Sequence, residues 1–228
     1  MDLGEAVLAA LRLIAAADAA VIDAVRVSLQ VALVATLLGT LVGAPLGFAV
    51  GTAAFRGRRA VEIVLTTLTA LPTVVVGLLV YAALSRRGPF GGLGLLYTRS
   101  AMVVGQTLLI APLMATLTMA LASGADVRIR ETALTLGATR LGAVWTLLGE
   151  LRRGALAAVA TGFGRLISEL GVALMVGGNI EGATRTMTTA IALETGKGEF
   201  ALAMALGLIL LAVALLVNLG AAALAASR

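Results

Sequence analysis

Residues Val27 to Phe55 read VSLQVALVATLLGTLVGAPLGFAVGTAAF, without one charged side chain. A bilayer core about 30 Å thick needs about 20 apolar residues wound as helix, and a helix apolar on every face has no side to turn to water. The stretch therefore predicts a membrane span. Four more follow: Ile63–Ser85, Ser100–Ala125, Gly154–Ile180 and Phe200–Ser227, the fourth interrupted only by Arg165 and Glu169. Pro45, Pro72 and Pro112 fall inside three of the spans. A bundle tolerates them because neighbouring helices and water re-satisfy the freed carbonyls, so they read either as kinks that shape the bundle or as hinges. Gly39, Gly43 and Gly47 recur at every fourth position, which puts a flat stripe on one helix face for close packing.

Composition agrees. Charged residues make up 13% of the 228-residue chain and hydrophobic ones 60%, with a mean hydropathy of +1.06. A soluble domain carries about a quarter charged residues. The net charge of +5 does not point to nucleic acid, because the basic residues form no dense stripe and aromatics are only 4%. The chain has no Cys and no His, which excludes thiolate chemistry, imidazole metal sites and His-based acid–base catalysis. An intramembrane enzyme would have only Ser168 beside Glu169 to work with. No two-fold repeat of hydropathy supports a secondary carrier.

The N-terminus has Asp2 and Glu5 and no basic flank, unlike a cleaved signal peptide. Leu3–Ala17 is apolar but reaches only about 22 Å as helix. It reads as an interfacial helix on the membrane, with a sixth span as the alternative. The domain expectation is therefore an interfacial segment over 1–24 and a membrane-spanning domain over 25–228. Two basic clusters, Arg56–Arg58–Arg59 and Arg128–Arg130–Arg140–Arg152–Arg153, fall on one side of a five-span topology. The positive-inside bias makes that side cytoplasmic, with the N-terminus outside and the C-terminus inside.

Between spans three and four lies a loop over 126–153, DVRIRETALTLGATRLGAVWTLLGELRR. Its first half predicts a short helix with Glu131 near its start, where the macrodipole favours an anion. Ala133, Leu134 and Leu136 give it an apolar face, and Gly137–Ala138 ends it. An exposed helix with apolar residues needs a partner surface.

Glu131-Thr132-Ala133, three residues, then Gly137 resembles the "EAA" loop of bacterial ABC-importer permeases, and its place after the third of five core spans agrees. The family's usual Ile-x-Leu-Pro exit is replaced by Leu147-Leu148-Gly149-Glu150, without the proline. Gly162-Phe163-Gly164-Arg165-Leu166-Ile167-Ser168-Glu169-Leu170-Gly171 resembles the fourth-span signature of oxyanion permeases for molybdate and tungstate. Gly177-Gly178-Asn179-Ile180, Thr184 to Thr195 and Lys197 to Phe200 are similar to the tungstate subgroup, as is Ala70 to Leu78 in span two.

The resemblance implies an all-α, type I ABC-importer permease bundle with five core helices plus the N-terminal interfacial helix. It implies a non-catalytic subunit of the inner membrane that imports an oxyanion by alternating access, with tungstate as cargo and molybdate or sulfate as alternatives. Its implied partners are a second copy of the chain, a cytoplasmic ABC ATPase dimer, an extracytoplasmic oxyanion-binding protein and the lipid bilayer. ATP and Mg belong to the ATPase; this chain has no nucleotide-binding Gly-Lys-Ser/Thr loop and needs no cofactor. Glu131, Ala133, Leu136, Gly137 and Ala138 are then the ATPase-coupling residues. Arg165 and Glu169, four apart, share a helix face and form either a structural pair or part of the path and its gate, with Ser168 beside them. Asn179, Thr184, Arg185, Thr186 and Thr188 are expected either to offer donors to a tetrahedral dianion or to form a solvated loop that docks a partner, with a short helix over Thr186 to Glu194.

Overall fold

The computed structural model describes residues 3–226, so Asp2, Ser227 and Arg228 lie outside the described residues. These residues form α1 (Leu3–Ala15), α2 (Ala19–Thr52), α3 (Arg58–Thr69), α4 (Thr73–Leu84), α5 (Arg99–Ser123), α6 (Val127–Thr135), α7 (Arg140–Ile167), α8 (Gly171–Gly177), α9 (Met187–Lys197) and α10 (Phe200–Ala226). A short 3-10 turn, Gly91–Leu93, sits between α4 and α5. No strand occurs among the described residues.

The bundle is built on α2 and α5, which run parallel. Gly39, Gly43, Gly47 and Gly51 sit in step against Ile110, Ala111, Ala115 and Met119–Ala122. At Gly43 and Gly47 a Cβ atom would collide with the carbonyls of Ala111 and Ala115, so the two backbones touch along the stripe. The opposite face of α2 exposes Leu33, Leu37 and Leu41, as a lipid-facing side requires. Pro45 and Pro112 lie inside continuous helices. α7 packs across α2 and α5, α10 on α7 and α9, and α4 on α8.

Side chains start several of the helices. Asp18 accepts from the amides of Ala20 and Val21, Thr98 from Ala101 and Thr139 from Gly142. Each answers one of the N–H groups that a helix leaves unpaired at its start.

Three helices, α2, α5 and α10, are long and apolar enough to cross a membrane, or five spans result if two bent pairs each count as one. Those pairs correct the sequence reading. Span two is not a kinked helix: α3 and α4 meet at 91°. Pro72 lacks an amide and pushes Leu71 out of helical geometry, which breaks the helix rather than bending it. Span four breaks at Ser168–Leu170, where α7 and α8 meet at 58°. The loop over 126–153 is also less of a loop than expected. Its second half, from Arg140, is the first part of α7, capped by Thr139 with nothing to interrupt it. At the N-terminus the chain turns at Ala16–Asp18, so the boundary expected at residue 24 falls inside α2. α1 buries Ala6 and Ala10 and packs on α10.

The stripe predicts an asymmetric response to substitution. Gly47→Leu should lower the melting temperature of the detergent-purified protein, with a cost of at least about 1–3 kcal/mol for overpacking. Gly207→Ala in α10, where an added Cβ meets nothing within 4 Å, should leave the melting temperature unchanged or raise it, with a stability gain of up to about 0.5–1 kcal/mol.

Candidate functional site

The breaks in the two bent pairs meet. A Cβ at Gly171, the first residue of α8, would press on Thr73 Oγ1 and the Val74 amide at the start of α4. Only glycine lets the two broken helices approach this closely. Beside the contact lies a cavity of about 390 Å³, lined by Thr73, Val74, Arg165, Ser168, Glu169 and Gly171 among others. Thr73 and Gly171 stood within the family-like stretches but carried no assigned role; Pro72 was the signal, since the residues after a helix-breaking proline begin a new helix start inside the bundle.

Glu169 organises this place. Its side chain is 2% exposed, and Oε2 accepts from Arg165 Nη1 at 3.0 Å. Oε1 accepts from the Val172 amide at 3.2 Å, capping α8. Its main-chain carbonyl accepts from Thr188 Oγ1 at 2.8 Å. The carboxylate is buried with two partners, as a buried charge must be. Arg165 differs: its side chain is 45% exposed. A guanidinium facing hydrocarbon costs at least about 2.5 kcal/mol. Taking α7–α8 as one bent span, the face that carries Arg165 is therefore one that meets water or another protein surface. Ser168 donates back to the carbonyls of Gly164 and Arg165, a local bond that helps end α7.

The residues from Asn179 to Thr188 divide. Thr184 is buried; its hydroxyl donates to the Gly177 carbonyl at 2.6 Å and accepts from the Ile180 amide at 3.0 Å. Thr186 caps α9 in a reciprocal bond with Thr189. The Thr188 hydroxyl holds the Glu169 carbonyl. These three are not a solvated loop, and their hydroxyls are committed inside the protein rather than offered to a dianion. Asn179, at φ 52°, leaves Oδ1 without a partner, and Arg185 leaves Nε so. Arg185 Nη1 pairs with the exposed Glu181 at 3.2 Å. Arg99 clasps the same segment: it donates to the carbonyls of Ala183 and Gly182 and to Gln30 Oε1 of α2. Arg99 is the first residue of α5.

At the other end of α5, Arg58 bonds Glu62, Ser123 Oγ and the Ala53 carbonyl, tying α3 to the ends of α2 and α5. α6 follows directly. Its N-cap is Asp126, which accepts from the Arg128 amide and guanidinium. Those bonds hold the Asp126 carboxyl below its usual range. Its contribution to the helix start is thus present above the ordinary carboxylate pKa and lost as pH falls through the lowered value. Glu131 accordingly lies a full turn into the helix, exposed, and not at its start. Ala133, Leu136, Gly137 and Ala138 line a cleft of about 750 Å³ between α6 and α7. Leu136 is 83% exposed, and Leu141 and Trp145 on α7 are exposed too. Gly137 turns the chain at φ 87°.

Comparison with known proteins agrees with this geometry. Residues 43–227 match the family described as binding-protein-dependent transport system inner membrane component. The tungstate uptake system permease protein TupB of Campylobacter jejuni is 40% identical over 164 residues, covering 72% of this chain and 69% of that protein. The protein of the same name from Peptoclostridium acidaminophilum is 42% identical over 150 residues, 66% of each chain. The molybdenum transport system permease protein ModB of Escherichia coli K12 is 30% identical over 155 residues, 64% of this chain and 68% of its own. A solved bacterial alginate ABC transporter, in complex with an alginate pentasaccharide-bound periplasmic protein, superposes with a TM-score of 0.70 at 20% identity, covering 88% of this chain and 76% of that one. With a family match over most of its length, an all-helical bundle of that fold and an exposed helix after α5, the chain belongs to the binding-protein-dependent transport system inner membrane components, the multi-pass permease subunits of ABC importers.

Proposed function

We propose that this permease imports an oxyanion, tungstate, driven by a separate ATPase. The observation that carries the cargo is the 40% identity with a tungstate uptake permease over most of the chain. The paired breaks support the path. Arg165 presents a cation at the open cavity beside the two breaks, and the Glu169 carboxylate beside it lowers the net charge there. A weakly attractive passage suits a transporter, because tight binding slows release.

In this reading the end with α6 is cytoplasmic and the end with α9 is exterior, which leaves the N-terminus outside and the C-terminus inside. Two copies form the pore, and an exterior binding protein delivers the anion. Each copy seats the α6 turn, with exposed Leu136, in a groove of one ATPase subunit. Mg and ATP act there, and closure of the ATPase dimer pulls the two α6 helices together and opens the breaks outward. The permease itself does no chemistry.

Reconstituted with its ATPase and binding protein, the complex should take up labelled tungstate only with ATP. Unlabelled tungstate should compete better than molybdate, and sulfate least. Preferential competition by molybdate would reassign the cargo, and uptake without ATP would reject the mechanism. For the α6 contact, Leu136→Asp should sharply reduce co-purification with the ATPase and leave the permease melting temperature unchanged, since the side chain is 83% exposed. Gly137→Val should also reduce co-purification, for another reason, and should lower the melting temperature. Its Cβ meets nothing within 4 Å, but a left-handed backbone costs a non-glycine residue about 1–2 kcal/mol, more when β-branched. Full ATPase association by both variants would remove α6 from the interface.

A further inference from the structure

Two buried hydrogen bonds tie the first residues of α9 to the bundle core. The Met187 amide donates to Ser28 Oγ of α2 at 2.8 Å, and Thr188 Oγ1 donates to the Glu169 carbonyl at 2.8 Å. All four residues are buried. The Thr186–Thr189 capping box fixes the start of α9 from which both bonds are made. The Glu169 carbonyl belongs to the segment where α7 has ended and α8 has not begun. The residue whose main chain Thr188 holds is thus the residue whose side chain holds Arg165 and the Val172 amide.

We infer that Thr188 is a positioning residue that makes α9 and the break between α7 and α8 one mechanical body. Displacement of α9 is thereby delivered to the Arg165–Glu169 pair. The inference rests on the permease reading above, in which α9 lies at the exterior end. Packing between side chains can slide, whereas a buried hydrogen bond to a main-chain carbonyl cannot be lost without leaving that carbonyl unpaired. The carbonyl lies outside regular helix, so it has no intrahelical amide to fall back on. A docked partner that presses on the Glu181–Arg185 turn, which Arg99 clasps to α2, moves the start of α9 and with it the break.

The test uses the reconstituted complex of permease, ATPase and binding protein with its oxyanion. Thr188→Val keeps the shape and removes the hydroxyl. It should leave ATP hydrolysis without binding protein unchanged and lower uptake by more than about threefold, the order expected from one lost buried hydrogen bond. Thr188→Ser should restore uptake. A smaller fall, or a Ser variant as poor as Val, overturns the inference. A second measurement does not depend on the variant's stability. The chain has no Cys, so spin labels can be placed at Thr195→Cys on α9 and Leu174→Cys on α8, both exposed positions. In a rigid unit their separation should change by less than about 2 Å between nucleotide-free and vanadate-trapped states, the scale of local packing shifts. A larger change overturns the inference. Absence of ATP-driven uptake in the wild type would instead reject the permease reading, and is thereby distinguishable.

Discussion

A single buried carboxylate determines how this bundle can be built. Glu169 lies buried at the break between α7 and α8, where an unpaired charge is among the most costly groups a protein can carry. Every partner it needs is present: Arg165 one turn before, the Val172 amide one turn after, and Thr188 at its own carbonyl. Those partners set the geometry around them. α7 must stop at Ile167 to free the backbone, α8 must start at once to supply an amide, and α9 must dip into the bundle to reach the carbonyl. Gly171 then lets the second break, at Pro72, close against the first.

The α2–α5 stripe gives these broken helices a rigid wall. Four glycines in step let two parallel backbones touch, and in lipid, where apolar burial gives little drive between helices, such contact supplies the association. The protein thus combines one unbroken pair with two bent pairs. Motion is easiest where main-chain bonds are already interrupted, and the cation of Arg165 is exposed at one such interruption. α6 sits at one end of α5 and the Arg99 clasp at the other, about 37 Å apart along the helix. The cavity between the breaks lies where both ends can act on it.

Much of this was legible in the sequence. The spans followed from charge-free length, the glycine stripe from its four-residue period, and α6 with its glycine turn from a short motif at the right place. The pairing of Arg165 with Glu169 followed from their spacing. The two sharp bends were not legible. Hydropathy averages over a whole span and does not register where backbone bonds are interrupted, so Pro72 read as a kink or a hinge and Ser168–Leu170 as continuous helix. The threonines misled for a related reason. Thr184, Thr186 and Thr188 look like a polar exterior loop, yet they are buried because a break leaves amides and carbonyls that nearby hydroxyls must satisfy. A threonine that pairs with distant main chain has no local signature, and Thr188 reaches back to a residue fixed only by the fold.

The Arg165–Glu169 pair holds the break between α7 and α8 as a unit. A double-mutant cycle on Arg165→Ala and Glu169→Gln, read in both melting temperature and uptake, tests it most directly. Strongly non-additive effects are expected, with a coupling of about 1–3 kcal/mol, because Arg165→Ala leaves the buried Glu169 carboxylate without its cation, a cost that Glu169→Gln removes. Effects that add to within about 0.5 kcal/mol would show that the two side chains act independently, and would contradict it.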